Sequence, residues 1–256
     1  MKKIFTLMLA VVLFAACESP KSTGDNQTEE NAETSASSNE PSSGANELTE
    51  DEKDNGWKLL FNGENMDGWR TYKDRENDSW EVVDGTLHCK ANEAAKKRAD
   101  ILTTEQYGDF ELVFDWKIAA GDNSGVIYRA TEEFDQPYLS GPEYQVIDDK
   151  NYPDELTATQ LSASNYDMHA APEDKPINPP GEWNTGKIVA KGNHVEHWLN
   201  GKKLIEYEIG SEEWKKLKEG SKWKDARGYG MAKQGHIDLQ DHGGEVWYRN
   251  IKIKSL

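Results

Sequence analysis

From residue 56 onward, apolar and polar positions alternate in short runs, each ended by turn-forming residues. The clearest run is 110–117, where Phe110, Leu112, Phe114 and Trp116 alternate with Glu111, Val113, Asp115 and Lys117. A period of two puts one set on a buried face and the other in water, so this run predicts a strand with one wet side. Residues 57–61 lead into Asn62-Gly63, a strand followed by a turn signal. Residues 80–83 and 86–89 flank Asp84-Gly85, which predicts a hairpin with a type I′ turn. Asn200-Gly201 predicts a second such turn. Further strands are expected at 125–129, 143–148, 187–190, 195–199, 203–207, 236–241 and 246–254. One helix is expected, with Ser211 as cap, Glu212 and Glu213 in the first turn, lysines at 215, 216 and 218, and Gly220 at its end. Strands and helices do not alternate, which argues against a parallel α/β sheet. The pattern predicts an all-β antiparallel sandwich with one short helix.

The first 55 residues follow a different pattern. Lys2 and Lys3 precede an apolar run, 4–14, and small residues then lead to Cys17. This is the layout of a secretory signal. A Cys at that position resembles a bacterial lipobox, which implies lipidation of Cys17 and attachment to a bacterial membrane, periplasmic or at the cell surface. Residues 18–55 carry eleven acidic and two basic side chains, and their one large aliphatic residue is Leu48. Such a segment buries too little apolar surface to offset the entropy of ordering it, so it is expected to be a disordered tether. The folded domain is expected at 56–256. Cys89 is then the one thiol left in it, and a small buried residue is the expected role.

Charge narrows the partners. The chain of 256 residues has a formal net charge of -17. Taking away the +2 of the signal and the -9 of the tether leaves the folded part at -10. An acidic surface repels phosphates, which argues against a nucleic-acid binder. All nine Trp lie in the folded part. Residues 149–181 form a long insertion with five Pro and with Tyr152, Tyr166 and His169, and a loop of that size is expected to wall a site.

No phosphate loop, H-E-x-x-H helix or nucleophile elbow is present. The candidate chemistry lies instead in polar residues placed on strands. Asn123-Ser124-Gly125 leads to Arg129, whose planar fork can grip a carbonyl or enolate oxygen. Glu143 and Gln145 share one strand face. His197 shares parity with Val195 and Leu199 and is expected to point inward. His236, Asp238, Gln240 and His242 share the face opposite Ile237 and Leu239. His and Asp also suit a divalent metal ion, with no ligand set assignable from strand spacing.

Taken together, the order N-S-G-V-x-x-R (123–129), E-Y-Q-V-x-D (143–148), G-E-W-N (181–184), H-x-x-N-G (197–201), L-Q-D-H-G (239–243) and R-N-I (249–251) resembles the 3-keto-disaccharide hydrolase domain family. The resemblance spans 56–256. It implies a concanavalin A-like jelly-roll β-sandwich acting on glycosides whose C3 hydroxyl is already a ketone. A ketone at C3 acidifies the C2 proton, so a base can form an enolate, the group on C1 can leave, and water can add back. Such a site needs a base, a stabiliser for the enolate and a donor for the leaving oxygen. Candidate bases are His242, His197 and Glu143, with Arg129 or a divalent ion on the enolate. Asn123, Ser124, Gln145, Tyr166, Asn184 and Gln240 are candidates for holding the sugar. Two other readings stand beside this one. A carbohydrate-binding module needs no base. An ordinary retaining glycosidase would use Glu143-x-Gln145-x-x-Asp148, which has the spacing of the E-x-D-x-x-E strand of laminarinase-like enzymes, with Gln in place of the central acid.

Overall fold

The computed structural model describes residues 44–256. They form two antiparallel sheets packed face to face. The larger sheet is built from β1 (Trp57–Leu59), β3 (Trp80–Val83), β4 (Thr86–Cys89), β6 (Phe110–Ile118), β9 (Asn184–Lys191), β10 (His194–Leu199), β11 (Lys202–Glu208) and β13 (Val246–Ser255). Its order is β11-β10-β9-β6-β13-β4-β3, with β1 also paired to β13. The smaller sheet holds β2 (Trp69–Thr71), β5 (Ile101–Thr103), β7 (Asn123–Ala130), β8 (Glu143–Ile147) and β12 (His236–Leu239), in the order β2-β5-β12-β7-β8. The expected all-β jelly-roll sandwich is thus the observed one. Strand β6 alternates between buried and half-buried along its whole length, as its period of two requires. Asp84 with Gly85 and Asn200 with Gly201 all take positive φ, the geometry of type I′ turns.

The core lies between the sheets. Phe110, Leu112, Phe114 and Trp116 from β6 meet Val126, Tyr128, Tyr144 and Val146 from β7 and β8. Phe114 and Tyr144 touch edge to face with centroids 5.2 Å apart. Each such side chain stabilises the fold by about 1.5–3 kcal/mol through burial. Cys89 is fully buried among them, and burial pushes its thiol up, so it is a packing residue.

The expected helix is present as α2 (Glu212–Gly220), with the Ser211 side chain accepting from the Trp214 N–H. It is not the single helix of the chain. The short α1 (Glu50–Asp54) carries a Thr49–Glu52 capping box. Its position corrects the expected tether, because residues 44–55 belong to the folded unit. Asn46 is 7% exposed and exchanges two hydrogen bonds with Asn250, at 2.6 and 2.8 Å. Asn250 sits at positive φ in a bulge of β13, where its own backbone lacks a ladder partner. Lys252 also pairs with Glu52. Polar groups, and not apolar area, hold this segment down, so hydrophobic pattern could not reveal it. The signal peptide, Cys17 and the rest of the expected tether lie outside the described residues.

Candidate active site

The outer face of the smaller sheet is polar where the pattern of a sandwich calls only for solvent contact. Ile127 on β7 pairs with Glu143 on β8 and with Asp238 on β12, so these three sit side by side. Strand alternation sends Val126, Tyr128, Tyr144, Val146, Ile237 and Leu239 to the core. The same alternation sends Asn123, Glu143, Gln145 and Asp238 to the other face, yet all four are at most 8% exposed. Loops bury them. Tyr138 comes from the turn after β7, Tyr166 from the long insertion, Lys222 from the segment after α2, and Gln240 and His242 from the end of β12. They enclose a cavity of about 140 Å³ floored by Asn123, Glu143 and Gln145. Gly125 makes room for the Glu143 side chain. A Cβ there would lie 2.2 Å from the Glu143 Oε1, so only glycine lets the carboxyl cross the strand.

The floor is short of hydrogen bonds. Among the described residues, both amide atoms of Gln145 and the Asn123 Oδ1 are buried without a hydrogen-bond partner; so are both carboxyl oxygens of the adjacent Asp238, which does not line the cavity. Unpaired buried polar groups each cost about 1–3 kcal/mol, a cost that a bound hydroxylated ligand would offset. Burial pushes the Glu143 carboxyl up to about 8, against the pull of Lys222 and with a push from Asp100. Asp238 is driven well above the carboxylate range by burial, then by Asp100 and Glu143. Asp100 directly precedes β5 and accepts the Asp241 N–H at 2.8 Å; it is raised to about 7, chiefly by desolvation. At neutral pH the floor therefore offers one carboxylic acid, Glu143, able to donate a hydrogen bond.

The mouth is different. Lys222 lays its ammonium 3.9 Å from the Tyr166 ring centroid and 4.4 Å from that of Trp223. Desolvation against these rings lowers its pKa, opposed by Glu143 and Asp167. His242 is held below the ordinary histidine value, first by crowding from the pocket wall and then by the Lys222 charge, while its outer edge stays open to solvent. The imidazole is thus neutral at pH 7 and free to accept a proton. Asp241 anchors this corner. It pairs with Arg98 at 2.7 Å and accepts from the Ser79 hydroxyl at 2.6 Å, which fixes the backbone beside His242.

A divalent ion would need several oxygen donors converging on one point. Asp100, Glu143 and Asp238 do not bring their ligand atoms that close together. Among the described residues, the acid or histidine trio whose ligand atoms lie within 4.8 Å of one another is His194, Glu196 and Glu206, on the outer surface of the larger sheet. Lys203 already bonds both of those glutamates.

A sandwich with a polar, loop-walled pocket of this size is shared by many proteins, so sequence comparison decides the lineage. The profile of the 3-keto-alpha-glucoside-1,2-lyase-like domain matches residues 56–254. The chain belongs to this family. It is 32% identical to a 3-keto-disaccharide hydrolase of Bacteroides thetaiotaomicron, over the whole of both chains. A crystal structure from Parabacteroides distasonis ATCC 8503, of a protein provisionally described as a glycosyl hydrolase, superposes with a TM-score of 0.77 at 40% identity. It covers 83% of this chain and all of the other. A second structure from that organism, with the same provisional description, gives 0.59 at 30% identity over 79% of this chain and all of the other.

In this 3-keto-alpha-glucoside-1,2-lyase-like domain, the expected site residues divide into two groups. Asn123, Glu143, Gln145, Tyr166, Gln240 and His242 meet in the pocket. Four others do not. His197 points into the core, where its Nε2 meets the Tyr128 hydroxyl at 3.0 Å and its Nδ1 the Ala163 carbonyl at 3.1 Å. Burial drives its pKa down to about 3. Arg129 turns away at positive φ and ties the Gly108 and Gly192 carbonyls together, with Asp109 at 3.2 Å. Ser124 faces the core and donates to the Gln240 carbonyl. Asn184 bonds Asn178 and Asn200 and secures the end of the insertion. Asp148 is no third acid of a laminarinase-like strand. It caps the next turn, accepting from Gly121, Lys150 and Asn151. Sequence reasoning missed Lys222 and Tyr138. Neither has a sequence signal, because Lys222 reaches the cavity from irregular backbone and Tyr138 from a single 3-10 turn.

Proposed function

We propose that this chain cleaves the glycosidic bond of 3-keto-glycosides by elimination followed by hydration. The observation that carries the reading is that a neutral imidazole, a protonated carboxyl and an ammonium stacked on aromatic rings line one polar pocket. His242 takes the proton from C2. The C–H electrons form the C2–C3 double bond, and the charge moves to the C3 oxygen. Glu143 donates a hydrogen bond to that oxygen and Lys222 supplies a positive field, the role first assigned to Arg129. The enolate then re-forms the ketone, a double bond appears between C1 and C2, and the bond from C1 to the leaving oxygen breaks. The imidazolium or water protonates that oxygen. Water adds to C1, C2 is reprotonated, and the net result is hydrolysis. Asn123, Gln145 and Gln240 orient ring hydroxyls, and Tyr138 and Tyr166 flank the sugar.

A retaining glycosidase needs one ionised carboxylate as nucleophile beside a protonated one. Glu143 and Asp238 are both raised out of the ordinary carboxylate range, which favours elimination. A binding module would not need His242. The test is isotopic. Deuterium at C2 of a 3-keto-glucoside should slow turnover by a primary isotope effect, and His242→Ala should abolish release while the sugar still binds. Equal rates for the two isotopologues, with C2 washing out no faster than in buffer, would oppose the reading. We further propose that export and lipid attachment at Cys17 hold the domain at a bacterial membrane.

A further inference from the structure

A second cavity opens beside the first. It measures about 320 Å³, and its walls include Asn92 and Glu93, Asp122, Tyr152 and Asp154, and Gly243. Asn123 and His242 line both cavities. Asn123 is 8% exposed and, among the described residues, its Oδ1 has no hydrogen-bond partner, so the boundary itself holds a buried polar group able to bind a ligand. The volume is at the lower end of ligand pockets. Three acidic side chains line this cavity, and among the described residues no Lys or Arg does.

We propose that this cavity is the leaving-group subsite and that it selects by charge. It takes polyhydroxylated leaving groups that are neutral or cationic, and it rejects anionic ones. The inference rests on the elimination reading, which places the reacting C1–C2 bond at His242, between the two cavities. A keto sugar over Glu143 and Gln145 would then project its leaving oxygen past Asn123 into the acidic cavity. Asn123 would donate or accept at that oxygen, and Tyr152 would face the departing ring. Like charges a few ångströms apart in a partly solvated cleft reduce association by roughly 10- to 100-fold when two or three act together. Added salt should erode the discrimination, since the cleft is open.

The experiment uses the full chain and three 3-keto-glucosides with one linkage and three leaving groups: glucose, glucosamine and glucuronate. The expected kcat/KM for glucuronate release is 10- to 100-fold below that for glucose release, with glucosamine at least equal to glucose. In Glu93→Gln and in Asp154→Asn, each measured alone, the ratio of glucose to glucuronate rates should fall at least threefold. Because the readout is a ratio within one protein, a general loss of activity does not move it. A ratio near one in the unmodified chain, or one unchanged in both variants, overturns the proposal. NMR titration with free glucose, glucosamine and glucuronate reads the same filter without turnover. If no keto-glucoside is cleaved, the elimination reading fails, and the order of these three affinities alone decides whether the charge filter stands.

Discussion

Replacing Glu143 with Gln keeps the shape of the pocket floor and removes its ionisation. Glu143 titrates near pH 8 in the folded chain and near 4.5 once unfolded, so the folded state holds the proton more tightly. Its contribution to stability is full below pH 4.5 and is lost as pH rises through 8. Each pH unit in that window is worth about 1.4 kcal/mol. The unmodified chain should therefore lose up to about 5 kcal/mol relative to Glu143→Gln between pH 4.5 and 8, and about 2 kcal/mol if water reaches the carboxyl in the open pocket. Asp100 and Asp238 titrate in both proteins, but Asp238 loses the push of Glu143 in the variant, so part of its own shift adds to the difference. Urea unfolding at pH 5, 6, 7 and 8 measures it. The two stability curves should diverge with rising pH, the Gln variant becoming the more stable. Parallel curves would refute the claim that Glu143 is a buried, protonated acid.

Other outcomes follow from the same geometry. The pH profile of kcat/KM should be a bell whose upper limb lies near 8 and disappears in Glu143→Gln, with a lower limb below the ordinary histidine range from His242. Lys222→Met should lower kcat by about 10²–10³ with little change in KM, because its charge matters most once the enolate forms; an equal loss in KM alone would make it a binding residue. His197→Ala should cost about 2–4 kcal/mol in urea unfolding and leave turnover per folded molecule near normal, since its partners are core groups. Cys17→Ser should abolish incorporation of labelled palmitate in bacterial cells and release the protein from the membrane fraction.

The framework of this fold is written locally. Strand β6 and both type I′ turns follow from period and turn chemistry alone, and α2 from its cap and charges. What sequence could not supply was direction. Parity correctly sent His197 inward, but inward meant the core between the sheets, while the candidate site lies on the outer face of the smaller sheet. Glu143, Gln145 and Asp238 are buried there only because loops cover that face, and loop courses have no periodic signature. The same holds for Lys222, which lies in an irregular stretch far along the chain and which the proposed mechanism puts in the electrostatic place expected of Arg129. The family resemblance picked out segments that line the candidate cavity. It did not separate residues that touch the cavity from residues, such as Arg129 and Asn184, that brace the backbone around it.

The central claim is that a C3 ketone, and not glycosidic cleavage in general, is what this pocket requires. The direct test is to incubate the purified chain with a 3-keto-glucoside and with the same glucoside unoxidised, and to follow release of the leaving group from each. Release from the keto compound alone is the predicted result. Equal release from the unoxidised compound would contradict the account and make the pocket that of an ordinary glycosidase.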